Sequence, residues 1–229
     1  MIKPEGYSKE KMLEIEKKYS MQASEINQTR NEFVDQQTII YVLSESFSDP
    51  SRIEGVTISR NPIPNIQDIK SKVTSGLMKS DGYGGGTANM EFQTLTGLPF
   101  YNISPTVSVL YSDVAPKMQP LISISDSFEP KNKEIIHFES KISYSRDVIY
   151  NRLDFDKFVS IDDKKEYNVG YQEIHVSDQS TYNAVLKDLN PKQSQFFSVI
   201  TMQNHAPFVA GEPSDVTASG KGFSEDVNT

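Results

Sequence analysis

Residues able to do nucleophilic chemistry recur in this sequence close to apolar runs. Glu45 comes two residues after Ile39-Ile40-Tyr41-Val42-Leu43. Thr87 closes the stretch Asp81-Gly82-Tyr83-Gly84-Gly85-Gly86. His137 follows Ile135-Ile136, and His205 comes just after the run from Phe196 to Met202. A hydroxyl, a carboxylate and two imidazoles are the parts of a site in which an oxygen nucleophile is activated by a base or a metal ion.

Each residue also has a plainer reading. A Glu beside a buried strand end needs a cation, a metal or N–H donors, unless it turns outward to water. Glycines ahead of a helix let backbone N–H groups approach an anion, and the helix N-terminus adds positive partial charge. Thr87 at that point is placed to attack a phosphorus or sulfur centre; otherwise it is an N-cap and the glycines a flexible loop. The pattern lacks the Lys of the nucleotide-binding G-x-x-x-x-G-K-[ST]. Taken singly, His137 and His205 suit structural roles at strand ends. Arg146, in Tyr144-Ser145-Arg146-Asp147, can grip a phosphate bidentately or form a surface pair with Asp147. His175 sits in a polar stretch and is given no role.

The elements that must position these residues alternate between strand and helix patterns. Residues 8–28 read as a surface helix, capped by Ser8, with Met12, Ile15, Tyr19, Ala23 and Ile26 on one stripe. Residues 37–43 read as a strand buried on both faces, 61–72 as a Pro-started helix and 73–78 as a second strand. A helix carrying Met90, Leu95 and Leu98 follows Thr87, then a loop over 100–116 and a short helix over 117–128. Residues 134–138 read as a third strand and 145–153 as a helix. Ser177 caps a helix with Tyr182, Val185, Leu186 and Leu189 on one face, and 196–202 is another buried strand. From Val209 the chain has no apolar period and reads as loop or disordered tail. The pattern predicts an α/β fold with a mainly parallel central sheet flanked by helices. In such folds ligands bind beyond the carboxyl ends of the strands, where Glu45, Thr87, His137 and His205 collect.

Composition narrows the partners. Lys plus Arg is 23 and Asp plus Glu is 31, a net charge of −8, which argues against a nucleic-acid binder and against capture on an anionic membrane by a polybasic patch. With no cysteine there is no disulfide or thiolate chemistry, and three His make a His-rich zinc site a poor fit. The longest apolar run, Ile39 to Leu43, is too short to span a bilayer, and the start has no apolar signal core.

Five segments, in order, carry a family resemblance: Leu43-Ser44-Glu45-Ser46-Phe47-Ser48-Asp49-Pro50; Gly85-Gly86-Thr87-Ala88-Asn89-Met90-Glu91-Phe92; Tyr144-Ser145-Arg146-Asp147-Val148-Ile149-Tyr150; Asp154-Phe155-Asp156-Lys157-Phe158; and Ile200-Thr201-Met202-Gln203-Asn204-His205-Ala206-Pro207-Phe208. Together they resemble the extracellular domain of lipoteichoic acid synthases, phosphoglycerol transferases of the sulfatase and alkaline-phosphatase superfamily. The resemblance implies a membrane-anchored enzyme on the extracellular face of the cell membrane, its anchor N-terminal to this chain. Glycerol phosphate would move from phosphatidylglycerol to a polyglycerol-phosphate acceptor through a phospho-threonine intermediate. Thr87 would be the nucleophile, and Glu45 and Thr87 would bind one divalent ion, manganese or magnesium. Tyr144, Arg146, His205 and His137 would hold substrate; Tyr144 stands where many members have Trp. Glu139 falls where some members have an acidic residue.

The family's remaining metal ligands form an adjacent Asp-His pair, and this chain has none. The resemblance therefore implies a sheet incomplete at its C-terminus, a metal weakly held or absent, and an inactive chain cut from an active parent. The expected organisation is a helical lead-in over 1–36, part of a catalytic domain over 37–208 and a tail over 209–229. Two other functions stay open on this reading: a sulfatase-like phosphodiesterase or other hydrolase with water as acceptor, and a non-catalytic extracellular binding domain.

Overall fold

A computed structural model describes residues 3, 5–30, 36–82, 86–207 and 216–220. They divide into two units, Met1–Asp35 and Gln36–Thr229. The first holds helix α1, Lys9–Asn27. It starts where the spacing predicts: the Lys11 N–H donates to Ser8 Oγ at 3.1 Å. Its stripe of Met12, Ile15, Tyr19 and Ile26 is solvent-exposed. Among the described residues no helix is long and apolar enough to cross a membrane.

The second unit contains β1 (Thr38–Leu43), β2 (Val56–Ile58), α2 (Pro64–Lys72), α3 (Thr87–Thr96), α4 (Leu110–Asp113), β3 (Lys133–Ile136), α5 (Arg146–Arg152), β4 (Lys157–Val159), β5 (Tyr171–Gln172), β6 (His175–Val176), α6 (Asp178–Asp188), β7 (Gln195–Ile200) and β8 (Ala218–Gly220). Strands β1, β7, β3 and β4 form one sheet in that order, every neighbouring pair parallel. Every residue of β3 and β7 is buried, as in a parallel sheet covered on both faces, and with the apolar residues go Lys133, Glu134, Gln195 and Ser198. On one face, Phe197, Val199, Ile136 and Val159 pack with Ala184 and Val185 of α6 and with Phe138 and Tyr167. On the other, an aromatic chain leads from the sheet to α3. Phe196 meets Phe155 at 6.0 Å between ring centroids, Phe155 meets Tyr150 at 4.9 Å, Tyr150 meets Tyr111 at 6.3 Å and Tyr111 meets Phe92 at 6.4 Å. These separations are those of edge-to-face pairs. Buried Asn89 stitches α3 to the next segment, donating to the Ser108 carbonyl at 2.9 Å and accepting the Leu110 N–H at 2.8 Å.

Several local expectations change. β1 is not buried on both faces: it is an outer strand of this sheet, and Ile40 and Val42 are exposed. Residues 73–78 form no strand. Val73, Leu77 and Met78 have no period of two to present to a core, and all three are exposed. The helix expected over 117–128 reduces to single 3-10 turns, Ala115–Lys117 and Ile124–Ser127, because Pro120 has no N–H to continue a helix. The loop expected over 100–116 contains α4, whose Leu110 and Tyr111 are buried. On α6 the buried face is Thr181, Ala184 and Val185, leaving Tyr182 and Leu186 exposed. Within the segment read as tail, β8 pairs antiparallel with β2. Glycine is needed there, since a Cβ on Gly220 would lie 2.5 Å from the Gly55 carbonyl oxygen.

One buried carboxyl at the start of β3 gives the fold a pH signature. Glu134 Oε1 lies 3.3 Å from Lys157 Nζ, which also lies 2.9 Å from Asp188 Oδ2. Burial, then the hydrogen bond and charge of Asp188, push the Glu134 carboxyl up to about 8. Its protonated form therefore supports the fold: the contribution is full below the ordinary 4.5 and lost as pH rises through about 8. Glu134→Gln mimics the protonated form. Urea denaturation should show wild type losing on the order of 2 kcal/mol more stability than Glu134→Gln between about pH 5 and pH 8. Parallel curves would rule out the raised carboxyl.

Candidate active site

Parallel pairing sets Leu43 beside Ile200 and Val199 beside Ile136, so the residues that follow these strands share one edge. Thr201 fastens the turn after β1. Its N–H donates to the Leu43 carbonyl at 3.1 Å, and its Oγ1 accepts the Glu45 N–H at 3.2 Å. The Thr87 hydroxyl then donates to Glu45 Oε1 at 3.0 Å. The expected meeting of the two side chains is present, although a helix start, not a strand, carries Thr87 there. Gly86 is the cap of α3, at φ 79, a left-handed value natural to glycine. Thr87 is the first helical residue, so its hydroxyl is not the cap and is turned to Glu45. The other two glycines, Gly84 and Gly85, lie outside the described residues.

A cavity of about 330 Å³ opens against this pair. Glu45, Thr87, His137, Tyr144, Arg146 and His205 all line it, so one space collects every side chain the sequence singled out. Glu139 and His175 join them. A second cavity, about 560 Å³, meets the first at Glu45, Thr87 and His205 and extends past Phe47, Ser80 and Met90.

His137 is buried, and its Nδ1 lies 3.3 Å from the Ile200 carbonyl. A carbonyl only accepts, so Nδ1 carries the hydrogen and Nε2 is left as an acceptor. Burial, then the Arg146 charge, pushes the imidazole down to about 3. His205 is exposed, with Nδ1 against the carbonyl of the following residue, Ala206. Its ring lies 5.7 Å from that of His175, which carries a buried Nε2 without a hydrogen-bond partner among the described residues.

Arg146 makes no surface pair with Asp147. Its Nε lies 3.1 Å from each Glu91 oxygen and its Nη2 2.6 Å from Oε1, with both side chains 3% exposed. Burial opposes the guanidinium charge, but the Glu91 carboxylate outweighs it and raises the Arg146 pKa. The guanidinium also sits over the Tyr144 ring, 5.0 Å from its centroid. Tyr144 and Ser145 both adopt φ 58, a left-handed conformation that costs an L-residue about 1–2 kcal/mol. Such strain persists where surrounding contacts over-determine the backbone, often at functional sites.

For a hard divalent cation the donors are right in type: a carboxylate and a hydroxyl facing one another. Two of them do not fill a shell of about six oxygens. Among the described residues no group of three His, Cys, Asp or Glu comes together to hold an ion.

Two site residues escaped sequence reading. Glu91 carried a signal, its position four residues after Thr87, which is one helical turn. His175 carried none, because only the short antiparallel pair of β5 and β6 brings it to the cavity.

The model of the Sulfatase family matches residues 37–229. Among solved structures, the Streptococcus pyogenes phosphoglycerol transferase GacH in complex with sn-glycerol-1-phosphate matches with a TM-score of 0.88 and 48% sequence identity. That match covers 100% of this chain and 60% of GacH. Among curated proteins, one described as a cyclic beta-1,2-glucan modification protein, from Rhizobium meliloti (strain 1021), is 29% identical over 179 residues. Those residues are 75% of this chain and 26% of that protein. The chain thus spans only part of both relatives.

The buried imidazole makes a direct prediction. Because its pKa is pushed below the ordinary 6.5, the stability His137 lends is present above about 6.5 and lost as pH falls toward about 3. In nitrogen-detected NMR its ring should show the Nδ1–H tautomer and no titration between about pH 5 and pH 8. A midpoint near 6.5 would contradict the buried, neutral assignment.

Proposed function

Because this chain belongs to the Sulfatase family, we propose that it carries the nucleophile of a phosphoglycerol transferase acting at the extracellular face of a cell membrane. The observation that bears most weight is the Thr87 hydroxyl, at the start of α3 and 3.0 Å from Glu45 Oε1. GacH, a phosphoglycerol transferase bound to sn-glycerol-1-phosphate, supports glycerol phosphate as the group moved.

The proposed chemistry has two displacements at phosphorus. Thr87 Oγ1 attacks the phosphodiester of phosphatidylglycerol. The Thr O–P bond forms as the P–O bond to diacylglycerol breaks, and the leaving alkoxide takes a proton. An acceptor hydroxyl then attacks phospho-Thr87: its O–P bond forms, the Thr O–P bond breaks, and a proton returns to Thr87. Glu45 orients the hydroxyl by accepting its hydrogen. Helix α3 presents unpaired N–H groups toward the anionic phosphate. His137, Tyr144, Arg146 and His205 form the wall on which glycerol phosphate rests, with neutral His137 suited to accept a hydroxyl hydrogen. Glu45 and Thr87 would supply two of the ligands of a manganese or magnesium ion, and its charge would favour negative charge on Thr87 Oγ1.

The acceptor we propose is the terminal hydroxyl of a polyglycerol-phosphate chain, as in lipoteichoic acid synthesis. A carbohydrate hydroxyl is the second reading, favoured by the similarity to the glucan modification protein.

In the full-length protein, Thr87→Ala should lower turnover by at least about a thousandfold while leaving thermal unfolding close to wild type. Thr87→Ser should keep residual activity and trap a phosphoglycerol adduct on the serine, read by mass spectrometry. An adduct on any other residue, or full turnover by Thr87→Ala, would exclude the proposed nucleophile. Product analysis separates the acceptors: extended glycerol phosphate polymer, phosphoglycerol-modified glucan, or free glycerol phosphate if water accepts.

A further inference from the structure

We propose that Glu91 is a positioning residue, setting the Tyr144–Arg146 wall of the cavity relative to Thr87. The consequence for ligand binding rests on the functional reading above; the geometric claim does not. Glu91 stands one turn after Thr87 on α3, so the nucleophile and the carboxylate share one rigid element. The carboxylate holds Arg146 through three contacts, at 3.1, 3.1 and 2.6 Å. Its back is fixed by Tyr150, whose hydroxyl donates to Oε2 at 3.3 Å and meets Ser198 Oγ of β7 at 2.7 Å. Arg146 is the first residue of α5, directly after Tyr144 and Ser145 in their left-handed conformation. Locally, that turn is tied by the Ser145 N–H to the Ile142 carbonyl and the Asp147 N–H to the Lys141 carbonyl, both at 2.9 Å. Its backbone also bonds the Ser143 carbonyl through the Arg146 N–H, and the Arg146 side chain adds a tie from inside and lies over the Tyr144 ring.

Fold stability alone is a poor reason for this pair. Two charges taken out of water gain little over well-packed apolar side chains of similar volume. Orientation is the better reason. A planar guanidinium gripped from Nε and Nη2 cannot rotate away, so Arg146 and the Tyr144 ring it stacks on line the cavity in a fixed orientation. Thr87, Glu91, Arg146 and Tyr144 thus form one mechanical series from nucleophile to wall.

The test compares Glu91→Gln and Glu91→Asp with wild type by two measurements. One is amide hydrogen exchange across residues 143–147 and across β7. The other is calorimetric titration with sn-glycerol-1-phosphate. Glu91→Gln should speed exchange at Ser145 and Asp147 by about tenfold or more, leave β7 protected, and weaken binding by about tenfold. Glu91→Asp keeps the charge but withdraws it by one methylene, so it should recover part of both; it also decides the matter if the Gln variant fails to fold. Wild-type exchange and affinity in the variants would overturn the proposal. So would equal loosening of β7, which is the mark of a purely structural pair. If wild type itself fails to bind the probe, the glycerol phosphate reading falls, and the exchange measurement still decides the role of Glu91.

Discussion

The parallel pairing of β7 with β1 on one side and β3 on the other is the constraint from which the site follows. Parallel strands end together, so the turn after Leu43, the turn after Ile200 and the start of the segment after Ile136 emerge side by side. Thr201, the first residue past β7, then bonds both the Leu43 carbonyl and the Glu45 N–H. His137, the first residue past β3, donates its N–H to the Val159 carbonyl and points Nδ1 at the Ile200 carbonyl. Backbone bonds of the sheet thus extend one residue further and become the supports of the reactive side chains.

Helix α3 is the second support, and it reaches the site from above the sheet. It is held by polar and aromatic contacts of different kinds. Asn89 bonds the backbone of Ser108 and Leu110, Phe92 joins the aromatic chain leading to Phe196, and Glu91 binds Arg146. A glycine at φ 79 begins the helix without cost where another residue would be strained. The hydroxyl of Thr87 therefore arrives at Glu45 on an element whose position is fixed along its length.

The cavity divides its polar groups by charge state. Arg146 keeps a permanent positive charge because a carboxylate accompanies it into the interior. His137, buried near that same charge, is kept neutral. A cationic edge and a neutral imidazole acceptor on one wall suit a ligand that carries both an anionic group and hydroxyls. His205 and His175 also line the space, one exposed and one with a buried nitrogen that has no hydrogen-bond partner among the described residues.

Sequence alone determined the class of fold, because β-branched and aromatic-rich runs such as 37–43 and 196–202 and the helical spacing after Ser8 and Ser177 are local signals. It also picked out Glu45, Thr87, Tyr144, Arg146 and His205 through contiguous family motifs, and Glu45, His137 and His205 through their places at strand ends; the strand expected before Thr87 is absent, and a helix start brings that residue to Glu45. Segments with weak periodicity went astray: 73–78 has apolar residues but no face, and β8 exists only because β2 offers it an edge. The partner of Arg146 was decided by tertiary structure, which set a carboxylate 55 positions away against it and left adjacent Asp147 aside. So was the place of His175, in a two-residue strand with no pattern to read. Long-range pairs of this kind depend on how helices are laid on a sheet. That arrangement is fixed by packing over the whole core, and no window of sequence contains it.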